Sequence, residues 1–176
     1  MRLISCLTHI QPQAEHRIAE RIATRAIVLN GEQILLLYTR RYNDYSLPGG
    51  GVDDGEALTE ALLRELREET GAQQISILAE FGRVDEYRPW YRNDIDVMFM
   101  RSYCYLCQIT GELGTPQLED YEQANGMQVQ WVNIFEAIAH NQAVMASNAE
   151  STGLSIIRET LLLETIAREC LTGCVL

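Results

Sequence analysis

The segment GGVDDGEALTEALLRELREETGA, Gly50 to Ala72, decides how this sequence is interpreted. Its apolar residues recur with helical spacing, which predicts a helix from Ala57 to Gly71. On that helix Glu65, Glu68 and Glu69 stand at i, i+3 and i+4, so their carboxylates share one face. The same face is apolar toward the N-terminus. This helix face is therefore apolar in its N-terminal part and carries three negative charges in its C-terminal part. The repulsion between these charges must be compensated.

A bound divalent cation would compensate for this repulsion. Like-charge pairs at helical spacing cost roughly 0.2–0.5 kcal/mol each when exposed, and more when they are partly desolvated. Mg²⁺ is commonly shared between one or two protein carboxylates and substrate phosphates, and Mn²⁺ also fits oxygen ligands. The alternative is a solvated acidic face paired with Arg64 and Arg67. The acids lie on the same face as the apolar residues rather than on the opposite face, which favours a bound cation over a solvated acidic face.

The spacing of these residues resembles the Nudix box, G-x5-E-x7-R-E-U-x-E-E-x-G-U, where U is a bulky aliphatic residue. Eight positions match, and the final U position departs from the pattern because Ala72 is small. The departure concerns packing rather than chemistry, and eight matches at five different spacings are not expected by chance. The matching residues are Gly50, Glu56, Arg64, Glu65, Leu66, Glu68, Glu69 and Gly71.

Outside the box, strand and helix patterns alternate along the chain. Asn30-Gly31, between the first two predicted strands, is a strong hairpin signal. Strands with helices on both sides of a mixed β-sheet give an α/β/α sandwich, which is the α/β fold that the resemblance also implies, with residues 1–176 as one domain. We predict strands at Ile22–Leu29, Gln33–Tyr38, Ile75–Phe81, Ile95–Ile109 and Gln128–Val132, and helices at Ile134–His140 and Leu154–Cys170.

Composition and charge limit the classes of partner. The 176 residues are 47% hydrophobic and 22% charged, which is typical of a compact soluble domain. The net charge of -11 opposes binding to a nucleic acid duplex or an anionic membrane, because both need clustered Lys and Arg. A small phosphorylated substrate is compatible with this charge, since a bound cation reverses the local field.

The cysteines and the N-terminal segment favour a cytoplasmic protein. Five cysteines, without an evident disulfide pattern, are most simply reduced thiols. Cys104 and Cys107 form a CxxC in a predicted strand, where residues i and i+3 point to opposite faces, so we do not expect shared zinc ligation. Residues 1–17 make a poor secretory signal. No apolar run approaches the roughly 20 residues of a membrane helix.

The resemblance implies an activity and a set of metal ligands. Nudix proteins cleave a diphosphate bond in a nucleoside diphosphate linked to another group, and they use a divalent cation. Glu68 and Glu69 match the principal metal ligands, and the carbonyl of Gly50 matches a further oxygen donor. Glu65 matches a position that the family uses either as a ligand or as the general base.

Two further catalytic roles follow from the same resemblance. Arg64 is similar to the arginine that holds the catalytic glutamate in place, together with Glu56. A base outside the box is often found in the loop before the last sheet strand, which here offers Glu119, Asp120 and Glu122. We favour Glu122 because of its distance from that strand, although a solvated loop acid is the alternative for each of the three.

Two clusters of arginines and aromatic residues are candidates for substrate binding. Arg40, Arg41 and Tyr42 follow the second predicted strand, where the arginines would bind phosphate and the tyrosine would stack on a base. Solvated loop arginines are the alternative. The second cluster lies in one predicted loop and would clamp a base and phosphate, or form the surface of a homodimer, which the resemblance often implies. Its members are Tyr87, Arg88, Trp90, Tyr91 and Arg92.

Three functions are compatible with the sequence. The first is a hydrolase of nucleotide-like diphosphates, which the intact acids of the box favour. The second is a Nudix-fold binding or regulatory module with little or no turnover. The third is an isomerase of isoprenoid diphosphates on the related fold, for which the sequence offers no clear active-site cysteine. We predict the hydrolase and leave its substrate open.

Overall fold

The computed structural model describes residues 1–90, 94–147 and 153–171, and a mixed sheet of seven strands forms their centre. Along the sheet the strands follow the order β1-β5-β6-β2-β3-β4, and β7 also pairs with β3. Two pairings, β1 with β5 and β2 with β6, are parallel. The strands are β1 (Leu3–Thr8), β2 (Ile18–Asn30), β3 (Gln33–Thr39), β4 (Asp44–Ser46), β5 (Gln74–Pro89), β6 (Val97–Thr110) and β7 (Met127–Asn133).

Helices cover both faces of the sheet. On one face, Leu62 and Leu66 pack in a cluster with Ala26 and Val28. On the other face, Ile27 packs in a cluster with residues of the third and fourth helices, as the alternation of side chains along a strand requires. The predicted α/β/α sandwich is therefore confirmed. The helices are α1 (Leu58–Thr70), α2 (Asp120–Ala124), α3 (Ile134–Ala146) and α4 (Ser155–Ile166), the last followed by a π-helical turn at Ala167–Leu171.

The strands β2 and β3 separate beyond the hairpin at Asn30-Gly31, and the candidate site lies near this separation. The turn is present, with Gly31 at φ 60°, but β2 and β3 pair only at their ends beside it. Beyond that point the glycine-rich segment, Gly49 to Gly51, runs beside β2 in place of β3. The amide of Thr24 donates to Gly50 O at 2.9 Å, and the amide of Val52 donates to Ile22 O at 3.0 Å.

The predicted elements are present, but several are longer than their local patterns indicated. The strand predicted at Ile75–Phe81 is the beginning of β5, which continues to Pro89. The interpretation of Tyr87 and Arg88 as loop residues is therefore wrong, and the ring of Tyr87 stacks on Phe99 with centroids 4.5 Å apart. The sequence analysis missed β1, β4 and α2, each of six residues or fewer.

The cysteines in the described residues are free thiols. Cys104 and Cys107 lie in different core clusters, on opposite faces of β6, as predicted. Cys174, Tyr91 and Arg92 lie outside the described residues. Within the ranges described above, the structure has no helix that is both long and apolar enough to cross a membrane.

Candidate active site

The glycine-rich segment brings the chain backbone into direct contact with two carboxylates. A Cβ atom added to Gly50 would lie 2.5 Å from the carboxylate of Glu65, so only glycine fits there without displacement of the acid. Gly49 has φ 131°, a conformation that side chains rarely adopt. Its amide donates to Glu69 Oε2 at 2.6 Å. The segment thus fixes both acids against the sheet.

A cleft of about 620 Å³ opens beside this segment. Glu65 and Glu69 from α1 line one wall, and Glu122 from α2 also lines the cleft. The two α1 acids are one turn apart, so both can turn toward the cleft while Leu62 and Leu66 anchor the helix on the sheet. The arrangement places three carboxylates around one solvent-accessible space.

Burial perturbs the two acids of α1. Glu69 is 4% exposed, and this burial raises the pKa of its carboxyl well above the usual value, while the hydrogen bond from Gly49 opposes the shift. The neighbouring charge of Glu65 raises the same pKa further. Burial also raises the pKa of Glu65, and Arg64 opposes that shift. Two partly desolvated carboxylates that repel one another favour a cation between them.

Arg64 ties the helix to the loop that precedes it. Its Nε and Nη2 donate to the two oxygens of Glu56 at 2.9 and 3.0 Å, and Nη2 also donates to Gly51 O at 3.0 Å. Its Nη1 donates to Glu65 Oε1 at 2.8 Å. These bonds raise the pKa of Arg64, so its charge is permanent. The guanidinium therefore helps to fix the orientation of Glu65.

The third acid of the box, Glu68, lies at the rim. It is 41% exposed, and its Oε2 accepts from Arg64 Nη1 at 3.3 Å. It lines a second cleft of about 310 Å³ on the outer side of α1 together with Arg67 and Gln117. Of the three carboxylates expected on one face, Glu65 and Glu69 line the first cleft, whereas Glu68 lines the second and shares Arg64 Nη1 with Glu65.

Glu122 is buried rather than solvated. It is 5% exposed because the short helix α2 folds its side chain inward. Its Oε2 accepts from the Glu119 amide at 2.8 Å, and its Oε1 accepts from the Tyr121 hydroxyl at 3.1 Å. The negative charge of Glu122 makes a small contribution to the raised pKa of Glu69. Glu119 lines the same cleft, whereas Asp120 is exposed on α2.

Comparison with known proteins decides the family of this chain. The NUDIX domain model matches residues 19–151, well over half of the sequence. The chain belongs to the Nudix family. Nudix hydrolases generally use divalent cations, which agrees with the desolvated carboxylates of this cleft.

Individual relatives resemble this Nudix chain over part of its length. The RNA pyrophosphohydrolase of Campylobacter jejuni subsp. doylei is 30% identical over 107 residues, which cover 56% of this chain and 65% of the relative. The chain thus spans less than two thirds of that relative. The RNA pyrophosphohydrolase of Nitratiruptor sp. is 54% identical over 39 residues, 22% of this chain and 25% of the relative.

A solved structure supports the Nudix fold. The solution structure of the E. coli ORF135 protein has a TM-score of 0.54 at 16% identity, covering 93% of this chain and 99% of that chain. At this identity the likeness concerns the fold alone. The sandwich described above is therefore shared with a protein of distant sequence.

The donor set of this Nudix site suits a hard cation that keeps water ligands. Across the described ranges, no group of three or more acids, histidines or cysteines is close enough to form a complete protein cage. Glu65 and Glu69 supply two carboxylates beside Gly50, whose carbonyl already accepts from Thr24 and retains a second lone pair. One or two carboxylates completed by water and phosphate oxygens are typical of Mg²⁺.

The predicted substrate residues lie in different environments. Tyr42 lines the cleft. Arg41 lies with its guanidinium 5.5 Å from the Tyr42 ring centre and donates to Asn125 Oδ1 at 3.0 Å. Neither Arg40 nor Arg41 lines the cleft. Their contact with substrate remains a prediction.

One part of the cleft was not predicted from the sequence. Arg21 and Arg25 on β2, and Arg158 and Glu159 at the start of α4, line this part of the cleft. Arg158 donates to Glu159 Oε1 at 2.8 Å. The pair on β2 and the pair on α4 are separated by more than 130 positions in the chain, so the four residues form no local motif. The one available signal was period-two placement: Arg25 lies in the strand predicted at Ile22–Leu29, and Arg21, just before that strand, lies on the same face because β2 begins earlier.

Proposed function

We propose that this protein is a Mg²⁺-dependent pyrophosphohydrolase, with Mn²⁺ as an alternative cation, that cleaves a diphosphate bond in a nucleoside diphosphate linked to another group. The observation that carries the proposal is the pair of α1 acids beside the glycine backbone, with Glu65 half-buried against Gly50 and Glu69 buried against Gly49, in a cleft large enough for a nucleotide. The net charge of -11 disfavours substrates held through an extended nucleic acid backbone.

The names of the relatives support the kind of bond that is cleaved. Both matched proteins are named RNA pyrophosphohydrolases, so a 5′-phosphorylated RNA end joins the candidate substrates. The chain spans less than two thirds of these relatives. The similarity therefore supports the type of bond that is cleaved more than it supports the chemical group attached to that bond. The substrate panel therefore includes free nucleotides and RNA ends.

Glu65, Glu69 and the Gly50 carbonyl are the proposed holders of the cation, with Glu68 available from the rim. A bound Mg²⁺ offsets the negative charge on phosphate oxygens during attack by water. Arg64 keeps Glu65 in the orientation that faces the cleft. Positioning of this kind contributes to rate because small displacements of reacting groups are costly.

Glu122 is the proposed general base. Each of its oxygens accepts one hydrogen bond from protein, and a carboxylate oxygen has room for another. Its carboxylate would accept a proton from water in the cleft at whichever oxygen faces the phosphate. The bond from Tyr121 holds the side chain in place for this transfer. Glu65 is the alternative base, as the resemblance to the family allows.

The test is hydrolysis of a panel of nucleotides, nucleotide sugars and 5′-triphosphate RNA with Mg²⁺, with release of phosphate and pyrophosphate as the measurement. We expect turnover of at least one compound. Glu69→Gln should lower that rate by about a hundredfold or more, while Glu112→Gln, an exposed acid outside the cleft, should not.

Thermal unfolding of both variants separates loss of chemistry from loss of folding. Binding of nucleotides without turnover by the wild-type protein would instead favour the binding or regulatory module. An equal effect of both substitutions would contradict the role of Glu69.

A further inference from the structure

The backbone that leads into the glycine-rich segment is held by side chains from distant parts of the chain. Glu159, in α4, accepts from the Leu47 amide through Oε2 at 3.0 Å. Arg25, in β2, donates to Gly49 O through Nη1 at 2.6 Å. These two bonds lie on either side of Pro48, which has no amide hydrogen to donate. The conformation of this short stretch therefore depends on contacts that the local sequence does not provide.

Glu159 is an ionised carboxylate in the protein interior. It is 1% exposed. Burial raises the pKa of its carboxyl, but the charges of Arg158 and Arg25 and the bond from Leu47 outweigh this effect, so the pKa lies below its usual value. Its Oε1 accepts from Arg158 Nε and Nη2 at 3.1 and 2.8 Å. Because Arg158 holds one oxygen, the other is available to the Leu47 amide.

Arg25 connects this carboxylate to the glycine-rich segment. Its Nε lies 3.6 Å from Glu159 Oε1, is inaccessible to solvent, and makes no hydrogen bond among the described residues. Its Nη1 donates to Thr24 O and Gly49 O at 2.8 and 2.6 Å. These nitrogens face protein, which favours a role in holding the backbone.

Gly49 joins these contacts to the proposed cation site. Its carbonyl is held by Arg25, and its amide donates to Glu69 Oε2 at 2.6 Å. A Cβ atom at this position would overlap Thr24 O, so the residue is packed directly against β2. A displacement caused by a change at Arg25 or Glu159 should therefore reach Glu69 through a single residue.

We propose that Glu159 and Arg25 are positioning residues of the active site, which set the backbone conformation of residues 47–49 and, through the Gly49 amide, the position of the Glu69 carboxylate. The inference rests on the proposed function for the role of Glu69 in holding the cation. It adds two residues outside the Nudix box that act on the cation without binding it.

The test measures Mn²⁺ binding to the full-length protein, through the electron paramagnetic resonance signal of the free ion, in two variants. Glu159→Gln leaves one acceptor oxygen for both Arg158 and Leu47, and Arg25→Met removes the bond to Gly49. Each should weaken Mn²⁺ binding by about tenfold, as loss of a group that orients a metal ligand typically does. Changes in charge alone would act in opposite directions, because the first variant loses a negative charge and the second loses a positive one.

Each variant has a matched control. Glu86→Gln is the control for Glu159→Gln, because Glu86 is a fully buried acid that accepts from Arg158 Nη1 at 2.7 Å but does not line the cleft. Arg83→Met, at an ion-paired arginine of β5 outside the cleft, is the control for Arg25→Met. Both controls should bind Mn²⁺ within about twofold of the wild-type affinity.

Hydrogen exchange at the Gly49 amide provides a readout that needs no metal. The exchange should be faster on the order of tenfold in both variants than in their controls, because the bond to Glu69 opens more often. Thermal unfolding shows whether each protein folds, and if Glu159→Gln is unfolded, Arg25→Met decides.

Three results would overturn the proposal. They are absence of Mn²⁺ binding by the wild-type protein, opposite changes of affinity in the two variants, and affinities and exchange rates equal to those of the controls. The last result would mean that this network only fastens α4 to the sheet.

The outcome is separable from that of the proposed function. A protein that hydrolyses nucleotides, but whose variants and controls bind Mn²⁺ equally, would retain the hydrolase and lose the positioning role. A protein that hydrolyses nothing in the panel, but binds Mn²⁺ more weakly in both variants, would retain the positioning role and lose the hydrolase assignment.

Discussion

At the scale of single residues, Gly50 is the position where the absence of a side chain matters most. Its backbone occupies the space next to the Glu65 carboxylate, and a Cβ atom would lie 2.5 Å from that group. Overpacking of this kind displaces the flexible partner, which here is the carboxylate proposed to hold the cation. Structure and chemistry thus depend on the same contact.

We predict that Gly50→Ala lowers the rate of hydrolysis on the order of a hundredfold, because it moves Glu65 out of position. The loss of unfolding free energy should be only about 1–3 kcal/mol. Gly153→Ala is the control for both measurements, because an added Cβ there has no atom of the described residues within 4 Å. Retention of full activity by Gly50→Ala would mean that the position of Glu65 is not critical.

Asp44 is a buried acid in the cleft whose charge opposes folding. It is 7% exposed, and burial followed by the charge of Glu159 raises its pKa to about 6, against a weaker opposite effect of His140. The folded protein therefore binds a proton more readily than the unfolded chain between the usual pKa, 3.8, and about 6. Stability from this group falls as pH rises through that window.

Asp44→Asn should therefore stabilise the protein at pH 8 by roughly 1–3 kcal/mol and have little effect at pH 4. The measurement is urea unfolding at the two pH values, read as the difference in unfolding free energy between variant and wild type. An equal effect at both pH values would show that the substitution acts through packing or hydrogen bonding and not through charge.

At the scale of elements, the site forms where α1 meets the glycine-rich segment, and Arg64 makes the connection. Its guanidinium bonds to Glu56 before the helix, to Gly51 in the segment and to Glu65 within the helix. Such a fork cannot be reproduced by a lysine, which has a single charged nitrogen. The orientation of the Glu65 and Glu68 carboxylates therefore depends in part on this side chain.

Arg64→Lys keeps the positive charge and should lower the rate of hydrolysis by about 10–100-fold. We expect the Michaelis constant to change little, because Arg64 acts through Glu65 and not on the substrate. Arg67→Lys, on the exposed side of the same helix, is the matched control. A change confined to the Michaelis constant would indicate that Arg64 contacts substrate directly.

At the scale of the whole molecule, local sequence patterns predicted α1 and the box, because helical spacing and glycine turns are determined by nearby residues. The three acids were expected on one face, but adjacent positions on a helix differ by about 100°, so only Glu65 and Glu69 point into the cleft. Contacts between residues that are distant in the sequence could not be predicted from these local patterns. Glu122 is buried by a short helix, and Arg25 approaches Glu159 only after the chain has folded around the sheet.

The central claim is that Glu65 and Glu69 hold a divalent cation against a pyrophosphate group. The most direct measurement is Mn²⁺ binding to the protein, followed through the electron paramagnetic resonance signal of the free ion. Glu65→Gln and Glu69→Gln should each weaken Mn²⁺ binding by about tenfold or more, with Glu112→Gln unchanged. Wild-type affinity in both cleft variants would contradict the account.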